Sequence, residues 1–104
     1  MANRHRGEIE AVLDGRTWTL CLTLGALADL ESSFQANDLQ ALTARFSSGS
    51  LSALDMLKVI HAGLKGAGHL VEFDEVAAMQ SEDGVMGFAR IVTELLQATF
   101  TPDG

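Results

Sequence analysis

The hydrophobic positions of this chain change their period early. Over residues 8–22 they alternate, and from residue 23 onward they recur every three or four positions. Glu8-Ile9-Glu10-Ala11-Val12-Leu13 alternates imperfectly, and Arg16-Thr17-Trp18-Thr19-Leu20-Cys21-Leu22 alternates well. Between them stands Asp14-Gly15, a preferred centre for a two-residue type I′ turn, in which both positions need positive φ. That turn sets the register of a β-hairpin: Leu13 faces Arg16, Ala11 faces Trp18 and Ile9 faces Leu20. Ile9, Ala11, Leu13, Trp18, Leu20 and Leu22 then share one face. Glu8, Glu10, Thr17, Thr19 and Cys21 take the other, with Val12 the exception. A lone hairpin is marginal in water, so its apolar face requires a cover.

The remaining pattern supplies helices. Thr23 is placed to N-cap a helix reaching Gln35, with Leu24, Leu27, Leu30 or Glu31, and Phe34 at helical spacing. Asn37 is the expected cap of a short second helix carrying Leu39, Leu42 and Phe46. Ser47-Ser48-Gly49-Ser50 reads as a loop. Ser52 stands three residues before Asp55, a variant of the capping box, and opens a third helix through Lys65 that should bury Ala53, Leu57, Ile60 and Leu64. Gly66-Ala67-Gly68 ends it, because glycine relieves the steric cost of a left-handed C-terminal residue. After a connector, Asp74-Glu75 starts a fourth, short helix through Met79 or Gln80, its acids matched to the helix dipole. Ser81-Glu82-Asp83-Gly84 breaks the pattern. A last helix over 85–99 carries Phe88, Ile91, Val92, Leu95 and Leu96, and Pro102 blocks its continuation. The predicted fold is α+β, an N-terminal β-hairpin packed on a bundle of four or five short helices.

A length of 104 residues and a 47% hydrophobic content fit one domain with one core. The expected domain is 7–100, with flexible termini at 1–6 and 101–104. Seven basic and fourteen acidic residues leave a net charge of −7, which repels phosphate backbones and argues against nucleic acid. Arg4, His5 and Arg6 make the only basic cluster, too small a footprint to reverse that. No apolar run approaches the ~20 residues of a membrane span or resembles a signal peptide, so a cytoplasmic protein is expected.

Candidate chemistry is sparse. The phosphate-loop, dinucleotide, GxSxG and HExxH signatures are all absent. Residues 63–68 are glycine-rich but follow a helix, so they read as a helix stop. His5, His61 and His69 match no metal-ligand spacing. His61 is expected to be packed or at the rim of the third helix, and His69 to be solvated in its connector. Glu72, Asp74 and Glu75 lack the order of a calcium loop. Cys21 is the single cysteine and reads as a small buried hydrophobe, without a neighbour that would activate it. Trp18 lies on the apolar face and should anchor the core. No catalytic, cofactor-binding or metal residue is assigned, and neither an enzyme activity nor a small-molecule substrate is expected. Surface for a protein partner remains: the hairpin edges, which allow self-association by strand addition, and Met56, Met79 and Met86 on the helices.

Four stretches together carry a resemblance. They are Leu13-Asp14-Gly15; the run from Thr19-Leu20-Cys21-Leu22-Thr23-Leu24-Gly25 through Ala26-Leu27-Ala28-Asp29-Leu30-Glu31; Gly63-Leu64-Lys65-Gly66-Ala67-Gly68-His69; and Asp74-Glu75-Val76-Ala77-Ala78-Met79. In this order and spacing the chain, over 7–100, resembles the small tail-assembly proteins of gene transfer agents and related tailed phages. That family is described both as a tail assembly chaperone and as a tail tube protein. The resemblance implies a chaperone that binds the tape-measure protein before tube subunits polymerise around it. The alternative is a structural tail tube or minor tail subunit, which would travel in the virion. It implies no catalytic residue. A net charge of −7 is compatible with a soluble protein that docks a client through local apolar surface.

Overall fold

In the computed structural model, which describes residues 3, 6–47 and 51–100, two antiparallel strands precede five helices. The strands are β1 (Glu8–Leu13) and β2 (Arg16–Cys21). Asp14 and Gly15 stand at φ 55° and 73°, the left-handed pair that a type I′ turn demands. Leu13 pairs with Arg16, Ala11 with Trp18 and Ile9 with Leu20, the register expected from the turn. All six residues of the predicted apolar face are buried, and Val12 is exposed.

The helices are α1 (Leu24–Ser33), α2 (Leu39–Ser47), α3 (Ala53–Gly66), α4 (Phe73–Ala77) and α5 (Gly84–Phe100). Local chemistry sets their ends. The Ala26 N–H donates to Thr23 Oγ1 at 3.1 Å, so Thr23 caps α1 as expected. At α3 the capping box closes in both directions: Asp55 N–H donates to Ser52 Oγ at 3.1 Å, and Ser52 N–H to Asp55 Oδ2 at 3.1 Å. The α2 cap is Asp38 rather than Asn37, its carboxylate accepting from Ala41 N–H at 2.8 Å. At the far end of α3, Gly68 takes φ 96° and folds the chain back on itself. His69 N–H then donates to the Leu64 carbonyl at 3.0 Å, and Gly68 N–H to Lys65 at 2.9 Å, the Schellman pattern. Of the loop expected at 47–50, Ser47 instead ends α2, and 48–50 lie outside the described residues, as do the Pro102 stop, Arg4 and His5 of the basic cluster, the rest of 101–104 and most of the expected N-terminal tail.

The hairpin lies on α3 and α5, with α1 and α4 against α3 and α2 against α1. Leu13, Leu20, Leu42, Ile60, Leu64, Leu95, Val59, Val76 and Val92 are fully buried between these layers. Each such side chain removed from water stabilises the fold by about 1.5–3 kcal/mol. Three expected stripe positions are corrected: Leu24 is 76% exposed, Leu39 is 40% exposed, and Ala53 faces outward. Each sits in the first turn of its helix, before the helix axis has brought that face over the core. Val59, Ala62 and Gly63 take the burial on α3 instead, and Leu57 is only half-buried.

Two contacts hold the hairpin where the pattern alone left it unplaced. At its tip, Asp14 N–H donates to the Gln80 carbonyl and Gln80 N–H to Asp14 Oδ1, both at 2.9 Å. Along its length, α3 crosses β2 on two glycines. A Cβ on Gly63 would come 2.7 Å from Leu95 Cδ2 and 3.2 Å from Leu20 Cδ2, and a Cβ on Gly66 would overlap the Cys21 carbonyl oxygen. The glycines at 63 and 66 are therefore packing residues, and the stop itself belongs to Gly68.

Candidate partner-docking groove

The polar residues singled out from the sequence are spent on structure. The Trp18 indole N–H donates to the Leu13 carbonyl at 3.2 Å, and the Arg16 guanidinium lies 4.3 Å from the ring centroid. Trp18 thus anchors the core and closes the hairpin tip at once. His69 is corrected from solvated to half-buried: the Schellman turn sets its ring edge-on to Trp18, 5.0 Å between centroids. Its Nε2 is buried without a hydrogen-bond partner among the described residues. His61 sits at the rim, its Nε2 3.1 Å from the Val71 carbonyl and its ring edge-on to Phe73.

Cys21 is half-buried, and its thiol donates to the Arg6 carbonyl at 3.6 Å. Burial first, and then the negative charge of Glu8, push the thiol pKa above its ordinary 9.0, with Arg6 opposing. The thiolate that a nucleophile needs is therefore disfavoured at this position. Glu72, Asp74 and Glu75 serve α4: Glu72 N–H donates to Glu75 Oε1 at 2.9 Å. Among the described residues no three His, Cys, Asp or Glu side chains are grouped to hold a metal ion. No described helix is long and apolar enough to cross a membrane.

One of the openings the helices leave is an apolar groove of about 240 Å³ between α3, α4 and α5. Ala53, Met56, Leu57 and Ile60 form one wall; Val76, Ala77 and Met79 form the floor and second wall; Val85 and Phe88 close it from α5. Val85 is 70% exposed and Met86, beside it, 71%. Leu54, next to Ala53, is half exposed at 52%. An exposed large apolar side chain on the edge of an apolar groove, as Val85 is here, marks a surface suited to a partner. Two of the three methionines named from the sequence, Met56 and Met79, line this groove. Their unbranched thioethers refill irregular space as a partner's side chains change.

The sequence carried part of this signal. The methionines are legible, but the meeting of Met56 and Met79 is not, because they come from different segments. A second opening, between α1 and α3, is lined by Asp29, Lys58, His61 and Lys65 among others. Lys58 there is held 5.3 Å from the Phe34 ring, and His61 is engaged as above. On the hairpin, Thr17 and Thr19 have no hydrogen bond beyond the sheet among the described residues, so the outer edge of β2 is unpaired.

Comparison with known proteins adds one finding. A family model described as phage tail tube protein, GTA-gp10, matches residues 6–101. No curated protein and no solved structure matches.

Proposed function

Because this chain belongs to the phage tail tube protein, GTA-gp10, family, we propose that it is a tail assembly chaperone of a gene transfer agent or related phage-like particle. It binds the tape-measure protein in the cytoplasm before the tube polymerises. The observation that supports this reading is the α3–α4–α5 groove, apolar in its lining and edged by exposed Val85. A client held only until tube subunits replace the chaperone must bind through surface that is apolar, adaptable and reversible. Methionine-lined grooves meet those three requirements. Acidic surface elsewhere keeps the loaded chaperone dispersed, the chain carrying a net charge of −7.

The experiment is co-expression of this chain with the tape-measure protein of the same particle, followed by affinity capture. The expected result is a tape measure that stays in solution and is retained by this chain. A tape measure equally well behaved without it overturns the reading.

A second reading, a structural tail tube subunit, is favoured by the words of the family description and by the unpaired β2 edge at Thr17 and Thr19. Strand addition at that edge would extend the sheet from one copy to the next. One hairpin, however, supplies little wall: β1 and β2 are six residues each. Protein composition of purified particles separates the two. A tube subunit is present in many copies, and a chaperone is absent.

A further inference from the structure

The α1–α3 opening carries positive charge, and an opening elsewhere on the molecule carries negative charge. Lys58, His61 and Lys65 stand at i, i+3 and i+7 and line the first from one face of α3. The start of α1, at Thr23 and Gly25, opens there too and adds the positive end of its dipole. Two lysines face one carboxylate, Asp29, and no ion pair among the described residues engages any of the three. The second opening lies between β1 and α5. Glu10 of β1, Glu82 and Asp83 of the turn before α5, and Glu94 of α5 line it, with Arg90 as the one cation in its lining. Arg90 is spent on Asp83 at 2.9 Å, which leaves Glu10, Glu82 and Glu94 without a cationic partner among the described residues.

Within one copy neither face can satisfy the other. α1 packs on α3 and α2, whereas β1 packs on β2 and α5, so α3 and β2 stand between the two openings. Between copies the faces can meet. The chain's net charge of −7 opposes association at long range, but at physiological salt that repulsion is screened beyond about 8 Å. The molecule measures 35 × 27 × 24 Å, so most of a neighbour's charge lies farther off than that. Opposite charges brought into contact lie well inside the screening distance and keep their attraction.

We propose that this chain binds a second copy of itself head to tail, the Lys58 and Lys65 face of one copy against the Glu10, Glu82 and Glu94 face of the next. Complementary charge fixes the orientation of the two copies and speeds their encounter. The contact is heterologous: it uses a different face of each copy and leaves one face of each kind free. Repeated, it sets copies in a row. It does not depend on which of the two functions proposed above holds.

The test is sedimentation velocity on the full chain at physiological salt, up to about 1 mM so that even a weak contact registers. The sedimentation coefficient is expected to rise with concentration. Lys58→Gln with Lys65→Gln removes one face, and Glu10→Gln with Glu82→Gln weakens the other. None of these four side chains forms an ion pair among the described residues, so the melting temperature should change little. Each double variant alone should associate at least about tenfold more weakly than the parent. Mixed in equal amounts, the two should form a one-to-one dimer that grows no further. Each supplies the face that the other lacks, and neither has a matching face left over. A parent that stays monomeric throughout overturns the inference. Association that either variant keeps in full does the same, being the mark of a symmetric dimer or of a contact elsewhere, such as the β2 edge or the α3–α4–α5 groove. A mixture that pairs no better than its components also overturns it.

Discussion

The two ends of α3 do opposite things with neighbouring faces of one helix. Its C-terminal end is pressed so closely on its neighbours that a Cβ would run into the Leu95 side chain at Gly63 and the Cys21 carbonyl at Gly66. Its N-terminal end, through Ala53, Met56 and Leu57, is the wall of an open groove. At the closed end, affinity between segments comes from shape, and an added atom is felt by packed side chains at Gly63 and by backbone at Gly66. At the open end, apolar character and adaptability suffice, and no neighbour within the chain fills the space. A helix that is locked at one end and unsatisfied at the other is a firm platform for a docking surface.

Substituting the closed end should produce the largest effect. Gly66→Ala forces α3 off the Cys21 carbonyl, a contact that no side-chain rotation relieves. We expect a loss of about 3 kcal/mol, even after the helix-propensity gain of about 1 kcal/mol from alanine. A urea midpoint equal to that of the parent would show that the seam is looser than described. Gly68→Ala sharpens the contrast, because its Cβ would meet nothing within 4 Å and only the φ of 96° is at stake. Its cost is the left-handed conformation alone, about 1–2 kcal/mol by the same measurement.

Asp55 fixes the start of α3 through Ser52 and Arg45. Burial opposes its charge, but the Ser52 N–H, the Arg45 guanidinium and the Ser52 hydroxyl prevail and hold its pKa below the ordinary 3.8. A carboxyl lowered on folding lends stability that is complete above its unfolded value and fades as pH falls through the folded one. Asp55→Asn should therefore cost about 1 kcal/mol near neutral pH, in the range of a lost helix cap. The gap between parent and variant should close on acidification below 3.8. A gap that stays constant across that range would remove the carboxylate from the account.

The smallest effect on stability belongs to the open end. Val85→Ser alters a groove side chain that is 70% exposed, so unfolding should shift by no more than about 0.5 kcal/mol. Retention of the tape-measure protein should nevertheless drop severalfold in the capture experiment. Equal retention would move the docking surface off this lip and towards the β2 edge.

Legibility in the sequence followed the reach of each interaction. The hairpin was readable to its register because Asp14-Gly15 and the alternation around it speak to residues a few positions apart. The Thr23 cap and the Ser52–Asp55 box were readable for the same reason. Asn37 was mistaken for a cap because Asp38 beside it is equally able to accept, and only the observed start of α2 chooses between them. Leu24, Leu39 and Ala53 fit a helical stripe by spacing, yet the first turn of each helix lies at the edge of the core. His69 was misjudged because a connector histidine gives no sign that Trp18 lies above it. The glycine run at 63–68 showed a helix stop; its packing role required knowing that β2 crosses there.

The chain's own order of residues determined the hairpin, its turn, its buried face and the five helices with most of their ends. All of these arise from steric preference and hydrogen bonding within one or two turns of backbone. Only the tertiary structure decided where α3 meets β2 without side chains between them, and where α3, α4 and α5 part to leave a groove. Those features depend on which faces of distant segments come together, and periodicity names a face without naming what it meets.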